Sequence, residues 1–369
     1  MSTKTIVGLL LLGVVIIGGV YVFSAEPKHE GPIKVGFIGP LTGDVSSIGT
    51  VARAAVEVAV DEINAAGGID GNQLEIIYED GKCDAAAANS AANKLINIDK
   101  VTAIIGGACS GETLSFVQQA MEKKVVTISY CSSVPTLSGV GKYFFRDYPS
   151  DAYQGVFMAD YAYNKLGARN VSILYHINDA HTSLKDVFTK RFTELGGRID
   201  IVEGTPQEAR DYRTQLTKMG KAAFIYMPTY ADGATVALTQ AHELGIKATI
   251  FSNDAWGDPK MQEAVAGLDR YAYSEAKTPE FPNEFVTKVQ EKAGTDSVPA
   301  CAPQAYDATH ILAGALRNAG TNPDKVADAL RVTRYDGVSG HIEFDENGDL
   351  KGAAYVVKMI QNGTATEVK

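Results

Sequence analysis

From residue 33 onward, short apolar runs alternate with longer amphipathic stretches. The apolar runs are rich in Val, Ile and Phe, which is typical of buried strands. They predict strands at 33–38, 74–78, 101–105, 125–129, 171–175, 199–202, 223–227 and 249–251. Apolar residues at helical spacing predict helices between them at 51–65, 85–98, 112–121, 183–195, 212–219 and 235–244. This alternation indicates an α/β fold in which mostly parallel sheets are flanked by helices on both faces.

The alternation stops near Pro149 and starts again at residue 171, so the chain divides into two consecutive α/β lobes. A largely helical section at 282–330 and a closing hairpin-like stretch at 340–359 must be shared between the lobes. A chain that builds one lobe, then the other, and then returns implies several crossings and hence a hinge. Because ligands bind beyond the carboxyl ends of parallel strands, we expect a cleft between the two lobes.

Residues 1–30 contain one long apolar segment. The stretch from Ile6 to Phe23 carries no charge and is close to the lower length limit for a membrane-spanning helix. Two interpretations lead, an uncleaved membrane anchor and a signal peptide cleaved after Ser24, and a buried core helix is the structural alternative. No Cys follows the segment, so a lipid-modified cysteine is not expected to tether the protein. Either interpretation places residues 30–369 outside the cytoplasm, in the periplasm or at the cell surface.

Charge and cysteine content further limit the possible partners and the kinds of site that the chain can form. The net charge of −10 argues against nucleic acid and against anionic lipid as partners, because both require clustered positive charge. The four cysteines, Cys83, Cys109, Cys131 and Cys301, allow two disulfides in an exported chain, with three ways of pairing them. No two of them have the CxxC spacing of a zinc site, and we predict neither a metal nor a cofactor.

Two polar turns follow strands of the first lobe. Residues 106–113 read Gly-Gly-Ala-Cys-Ser-Gly-Glu-Thr, and their glycines and helix start suit a carboxylate or phosphate, with Ser110 and Thr113 as hydroxyl donors. The Lys of a Walker loop and GxGxxG spacing are both absent, so nucleotide binding is poorly supported. The second turn, 129–135, offers Ser132 and Ser133. A purely structural alternative for Ser110 is that it caps the helix.

The strand ends of the second lobe are aromatic and acidic. Tyr230 follows one apolar run, while Asp254 and Trp256 follow another. An acidic, aromatic wall that faces hydroxyl donors suits a zwitterion, with its carboxylate on the first lobe and its ammonium on the second. The alternative for Asp254 is that it caps the following helix.

The main alternative to a binding protein is an enzyme. Residues 107–111 fit the G-x-C-x-G turn of a cysteine-dependent α/β hydrolase, with Cys109 as its nucleophile. The acid and base would come from Asp179, Asp254, His242 and His310, none of which has a supporting motif. His176 and His181 could begin a metal site but have no clear third ligand. A disulfide at Cys109 would exclude the nucleophile.

Several short motifs, in their order and spacing, resemble one family over residues 33–360. The motifs are 34–43 (KVGFIGPLTG), 65–69 (AAGGI), 79–84 (EDGKCD), 106–110 (GGACS), 304–308 (QAYDA) and 344–349 (FDENGD). The family they resemble is the type I periplasmic solute-binding proteins of leucine/isoleucine/valine-type ABC importers. The resemblance implies a two-lobed fold with three hinge crossings near 149–152, 276–279 and 350–354. The N-terminal lobe is then 31–150 plus 278–351, and the C-terminal lobe is 151–277 plus 352–369.

The resemblance also assigns roles to residues. It implies a Cys83–Cys109 disulfide near the site. Ser110 and Ser133 match positions that bind the ligand's α-carboxylate, and Ser132 matches a neighbour that contributes mainly backbone. Tyr230 and Asp254 match positions that contact the α-ammonium.

The chain departs from the family where the ligand's side chain would lie. Ile48 and Ala180 stand where the family often has aromatic residues, so the pocket is expected to be roomier or more polar, with Trp256 or Tyr153 as candidates to fill the gap. Cys131 and Cys301 match no family position, and we expect them to form a second disulfide near the hinge.

Together these features predict a non-enzymatic, monomeric substrate-binding component of an ABC importer. It would capture a branched-chain or small polar amino acid by hinge closure and deliver it to a permease with its ATPase. The rival within the same fold is a sensor for an amide or urea, which would act through a separate partner.

Overall fold

Two sheets organise the chain, and the computed structural model describes them through residues 31–268, 271–361 and 364–368. The chain divides into a unit Met1–Gly31 and a unit Pro32–Lys369, and every element below belongs to the second. The anchor or signal predicted at 1–30 lies outside the described residues. Among the residues that are described, no helix has the length and apolar character needed to cross a membrane.

The first sheet has five parallel strands in the order β2-β1-β3-β4-β5. Their bounds are β1 Ile33–Gly39, β2 Leu74–Asp80, β3 Ala103–Ile105, β4 Val126–Ser129 and β5 Phe144–Arg146. Val35, Phe37 and Ile38 are buried although they point to opposite faces of β1, because helices cover both sides of the sheet.

Helices from both halves of the chain cover this sheet. Those of the first half are α1 Ser46–Ala65, α2 Ala85–Asn93 with a π-helical continuation Lys94–Asp99, and α3 Ser110–Glu122. The returning ones are α9 Asn283–Ala293, α10 Ala302–Ala319 and α11 Pro323–Arg331. The predicted apolar face of α1 is buried, including Val51, Ala55 and Ile63, and α9 and α10 pack against that helix.

The second sheet has seven strands in the order β14-β13-β10-β9-β8-β6-β7. The parallel strands are β6 Asn170–His176, β7 Arg198–Thr205, β8 Phe224–Tyr226, β9 Thr249–Ser252 and β10 Tyr271–Ala276. β13 Tyr355–Gln361 and β14 Thr364–Glu367 extend the sheet in antiparallel fashion. The accompanying helices are α4 Asp151–Asp160, α5 Asp179–Glu194, α6 Arg213–Lys218, α7 Ala231–Glu243 and α8 Pro259–Ala264.

The chain passes between the two sheets in three segments. They follow β5, β10 and a short hairpin formed by β11 Arg334–Gly337 and β12 Gly340–Glu343. The mixed α/β architecture of two parallel sheets flanked by helices is therefore confirmed. The exact lobe boundaries 31–150 plus 278–351 and 151–277 plus 352–369 stay a prediction.

Some elements differ from the sequence prediction. The closing hairpin was expected at 340–359 but lies at 334–343, and β13 instead pairs with β10 of the second sheet. The sequence pattern also missed β5, α4 and β10. β5 is three residues long, too short for a clear pattern. In α4 the polar Asp151 and Gln154 are buried while Tyr153 and Val156 are exposed, so its sequence shows no clear apolar face.

Both cysteine pairs form disulfides. Cys83–Cys109 joins the turn after β2 to the residue before α3, with Cα atoms 5.4 Å apart, as the family resemblance implies. Cys131–Cys301 joins the end of β4 to the residue before α10, with Cα atoms 5.2 Å apart. The described residues contain no free cysteine. Each bridge fixes a loop that follows a strand of the first sheet.

Removing the two disulfides should destabilise the protein to different extents. We expect the Cys83→Ala/Cys109→Ala variant to lose about 2–4 kcal/mol of unfolding free energy, because the open chain gains conformational entropy. The Cys131→Ala/Cys301→Ala variant should lose about 1.5 kcal/mol more, since its sequence separation is 170 rather than 26 residues. Urea unfolding without reductant measures both. Equal unfolding free energies for the two variants and the unmodified chain would contradict the expectation.

Candidate ligand-binding site

A cavity lies between the two sheets, at the carboxyl ends of their strands. Its first-sheet wall comes from the loops after β1, β3 and β4, and its second-sheet wall from the loops after β8 and β9 and the start of α5. This is the place where parallel strands are expected to hold a ligand. Ser110, Ser133, Tyr230 and Asp254, all predicted from the sequence, line this one cavity.

The turn before α3 is held by a buried glutamate that the sequence prediction missed. Glu112 Oε2 accepts hydrogen bonds from the N–H groups of Ala108 (2.9 Å) and Cys109 (3.0 Å), and its Oε1 accepts one from Cys83 (2.9 Å). Burial raises the pKa of Glu112 to about 7, although these three hydrogen bonds favour the charged form. Backbone donors that we had expected to be available for a ligand are therefore occupied by this carboxylate.

Thr113 and Ser132 support the same turn from below the cavity. Their hydroxyl oxygens lie 2.7 Å apart, and the Gly107 N–H donates to Thr113 Oγ1 at 3.1 Å. Ser132 also lies 3.1 Å from the Gly107 carbonyl oxygen. Both side chains are fully buried and neither belongs to the cavity wall. The two predicted ligand contacts are thus positioned to shape the turn.

Ser110 and Ser133 form the hydroxyl-rich part of the wall. Ser110 is the first residue of α3, and its Oγ accepts hydrogen bonds from the N–H groups of Ser133 and Val134, both at 3.3 Å. The residue before the helix is Cys109, so Ser110 does not act as its cap. The Ser110 hydroxyl proton remains available to a ligand oxygen. The N–H groups of Ser110 and Gly111 lie in the first turn, where no intrahelical acceptor exists.

The opposite part of the wall is acidic. Tyr148 donates a hydrogen bond to Asp254 Oδ2, and Asn253 Nδ2 donates to Asp254 Oδ1 at 3.3 Å. Burial raises the pKa of Asp254. The structural alternative from the sequence is not realised, because Asp258 caps α8 by accepting the Met261 N–H at 3.0 Å.

Asp151 is a second acidic wall residue, and the sequence analysis did not identify it. It opens α4, directly after the segment that crosses between the sheets, and is 1% exposed. Its Oδ2 has no hydrogen-bond partner among the described residues. Burial raises the pKa of Asp151 to about 8, the nearby Asp254 adds to the rise, and Ser133 opposes it. No local motif marks this residue, since only the path of the crossing segment brings it to the cavity.

Tyr230 and His181 complete the second-sheet wall. The Tyr230 hydroxyl lies 3.7 Å from Cys83 Sγ, and its ring packs edge-on against His181 with centroids 4.5 Å apart. Burial lowers the pKa of His181 well below its usual value, so its ring is neutral. His176 is engaged elsewhere, with Nε2 3.0 Å from the Tyr212 hydroxyl. In the described part of the chain, no group of three His, Cys, Asp or Glu residues is arranged to hold a metal.

Trp256 and Tyr153 lie away from the cavity wall. Trp256 is fully buried in the core beside the second sheet, where its Nε1 donates to Thr229 Oγ1 at 3.2 Å. Tyr153 lies on α4 and is 51% exposed. Neither fills the space beside Ile48 and Ala180, both of which line the cavity. Neither aromatic residue is therefore placed to contact a ligand in this cavity.

Contacts across the cavity join the two walls. Arg210 Nη2 lies 2.7 Å from Asp44 Oδ2, and Tyr148 and Tyr230 reach across to Asp254 and Cys83. The two walls are therefore in direct contact at three places beside the cavity.

Two α/β sheets with a cavity between the carboxyl ends of their strands are typical of solute-binding proteins. The chain belongs to the periplasmic binding protein family, whose model matches residues 32–364, and its similarities place it with the type I, branched-chain amino acid group.

Three comparisons support this placement. The chain is 28% identical to the leucine-, isoleucine-, valine-, threonine- and alanine-binding protein of Pseudomonas aeruginosa, over 94% of this chain and 95% of that protein. A leucine-binding protein from Thermotoga maritima superposes with a TM-score of 0.83 at 28% identity and covers 91% of this chain and 98% of its own. The branched-chain amino acid transporter substrate-binding protein of Streptococcus pneumoniae, solved with isoleucine, gives 0.81 at 28% identity over 92% and 99%.

The unpartnered Asp151 should make the stability of the ligand-free protein depend on pH. A carboxyl group with a raised folded-state pKa binds more protons in the folded than in the unfolded chain, so stability should fall as pH rises from about 4 to 8. Asp151→Asn should flatten this dependence and raise the unfolding free energy at pH 8 by about 2–4 kcal/mol. Urea titrations at pH 5 and pH 8 measure the difference. A variant whose stability changes with pH as much as the unmodified chain's would contradict the assignment.

Proposed function

We propose that this protein is the extracytoplasmic substrate-binding component of an ABC importer and that it captures an amino acid in the cavity between its sheets. The observation that carries the proposal is that one cavity holds both hydrogen-bond donors and carboxyl groups, in different parts of its wall. Ser110, Ser133 and the start of α3 supply hydrogen-bond donors from the first sheet, and Asp254 supplies a carboxyl group from the second. Asp151, whose N–H donates to the Ser133 carbonyl oxygen at 2.8 Å, adds a second carboxyl group beside Ser133. An α-amino acid has the same separation, with a carboxylate and an ammonium on one carbon.

The carboxylate is proposed to bind at the start of α3. The helix dipole and the first-turn N–H groups favour an anion there, and the Ser110 hydroxyl can donate a further hydrogen bond. Ser133 adds a second hydroxyl to the same part of the wall. Lys and Arg are absent from the lining among the described residues, so neutral donors and the helix start are left to hold the ligand's anionic end.

The ammonium is proposed to bind between Asp254 and Asp151, with Tyr230 beside them. Asp151 Oδ2 lacks a partner and is buried, and a buried polar group without a hydrogen bond is costly. A ligand ammonium would provide that partner and would offset the mutual repulsion of the two acids. Charge-assisted hydrogen bonds at both ends of the ligand then fix its orientation.

Binding is proposed to drive hinge closure. A ligand held by groups from both sheets contacts all of them only when the cavity is closed, so it stabilises that form. The closed form would then be recognised by a membrane permease with its ATPase. The names of the relatives support a transporter role, since they are amino-acid-binding proteins, one of them described as a transporter component.

The cysteine-hydrolase alternative receives no support from the structure. Cys109 Sγ is bonded to Cys83, so it carries no thiolate. The amide or urea sensor remains the second candidate because it would use the same fold, and the ligand screen described next separates it from the amino-acid proposal.

A thermal-shift screen of the full-length chain against the twenty amino acids, short amides and urea tests the proposal. A ligand at 100 times its dissociation constant should add about 2.7 kcal/mol of stability and raise the unfolding midpoint. Stabilisation by amino acids alone is the expected result. Stabilisation by amides or urea alone would preserve the fold assignment and refute the ammonium site, and no stabilisation by any of these compounds would refute amino-acid capture.

Asp254→Ala should weaken binding of the best amino acid by about 2–5 kcal/mol, because it removes a carboxylate that pairs with a buried ammonium. The matched control is Asp200→Ala, which removes an exposed aspartate paired with Arg198 on β7. Isothermal titration calorimetry gives both dissociation constants. If the two variants bind with the same affinity, Asp254 does not belong to the site.

A further inference from the structure

His181 is a buried polar residue in the cavity wall, on the first turn of α5. Its side chain is 1% exposed and lines the cavity together with Ala180 and Leu184 of the same helix. Both of these neighbours are apolar, so the imidazole is the polar group among the three. Burial lowers the pKa of His181, which keeps the ring uncharged.

The hydrogen bonds of Asn178 determine which imidazole nitrogen carries the proton. Asn178 Oδ1 accepts the backbone N–H of His181 at 2.9 Å and so caps α5, which leaves Nδ2 as the donor group of this amide. Nδ2 donates to Gln207 Oε1 at 3.0 Å and lies 3.0 Å from His181 Nδ1. Nδ1 must therefore accept a hydrogen bond, and in a neutral imidazole the proton then resides on Nε2.

The Nε2–H group of His181 is a buried donor without an acceptor. It lies on the ring edge away from Asn178, and no described residue accepts a hydrogen bond from it. A buried donor that stays unpaired costs free energy. The His181 ring also packs against the ring of Tyr230, with centroids 4.5 Å apart, so this donor lies close to the proposed ammonium site.

The proposed positions of the ligand's charged ends direct its side chain toward the rest of the cavity wall. The carboxylate is assigned to the start of α3 and the ammonium to Asp254, and the side chain is the remaining substituent of the same carbon atom. Most of the remaining lining is apolar, including Val45, Ile48 and Leu184. An aliphatic side chain would suit these residues but would leave the Nε2–H group of His181 without an acceptor.

We propose that His181 determines the ligand class and that the preferred amino acid carries an uncharged acceptor, a hydroxyl or amide oxygen, on a short side chain. A site with a buried donor rejects an analogue that lacks the matching acceptor, because the donor then stays unpaired. A side-chain carboxylate is disfavoured, since no Lys or Arg lines the described cavity wall to offset its burial. The inference rests on the proposed amino-acid capture and names the ligand class of that same site.

Matched pairs of ligands of similar shape test the inference. The pairs are L-serine with L-2-aminobutyrate, L-threonine with L-valine, and L-asparagine with L-leucine. The first member of each pair has a side-chain oxygen that the second lacks. Isothermal titration calorimetry with the full-length chain should show that the polar member of at least one pair binds about tenfold or more tightly than its aliphatic partner, the scale expected when a buried donor is left unpaired.

Two variants connect the preference to the Nε2–H group. His181→Phe keeps a planar ring beside Tyr230 without a donor, so the preference within the pair should fall to about threefold or less. His181→Gln carries an amide N–H that can reach the position of Nε2, so a preference of about fivefold or more should remain. The matched control is His242→Phe, the same substitution at an exposed position on α7, which should leave both affinities unchanged.

The outcomes separate this inference from the function on which it rests. If the aliphatic member binds as tightly as its polar partner in every pair, the preference is refuted while amino-acid capture stands. This comparison uses the unmodified chain, so it does not depend on how the variants fold. If His181→Phe keeps the full preference, or if His181→Gln loses it to the same extent as His181→Phe, the Nε2–H group does not determine the ligand class. If no amino acid binds at all, the proposed function is refuted, and the inference is refuted with it.

Discussion

The Glu112 carboxylate is the group on which the first wall of the cavity depends. It accepts hydrogen bonds from N–H groups in the loop after β2 and in the turn before α3. It therefore joins two segments that are also bridged by the Cys83–Cys109 disulfide. Two glycines leave room for it, because a Cβ atom at Gly81 or Gly107 would collide with the Glu112 side chain. The positions of Ser110 and of the helix start therefore follow from an interaction beneath the cavity surface.

The second constraint is electrostatic. Burying two carboxyl groups in a cavity without a basic side chain costs free energy in the empty protein, as the raised pKa of each shows. A cationic group that enters this cavity recovers part of that cost. The binding energy is then larger than the ligand's own hydrogen bonds would give, because the ligand relieves a strain that folding has already introduced. An unpartnered buried carboxyl oxygen such as Asp151 Oδ2 would thus serve the proposed binding function although it lowers stability.

Sequence patterns were sufficient for most of the fold and for the hydroxyl and acidic strand ends. Strands such as β1 and helices such as α1 have strong periodicity. Parallel strands necessarily bring Ser110 and Ser133 to one edge of the first sheet, and Tyr230 and Asp254 to one edge of the second. The pattern could not distinguish residues that touch the cavity from those one layer beneath it, such as Thr113 and Ser132. The pattern also assigned Trp256 to the cavity because it lies two residues after Asp254, whereas the turn after β9 directs the indole into the core.

Other residues were missed because they depend on contacts distant in sequence. Asp151 reaches the cavity through the path of a crossing segment, and Glu112 links two parts of the chain because Cys83 lies beside it only in the fold. β10 is a strand because it pairs with neighbours that include β13, which lies far along the chain. Such features follow from tertiary arrangement, and local periodicity carries no information about them.

The Cys131–Cys301 bridge has a topological consequence. The chain between the two cysteines contains β6 to β10 and the helices that accompany them, so these parallel strands of the second sheet lie within one covalently closed ring. A protease that cuts this ring once opens it without releasing a fragment. The two pieces stay joined through the bridge and remain held beside the first sheet. In an environment that contains proteases, the protein is thereby protected against the loss of half its binding site from a single nick.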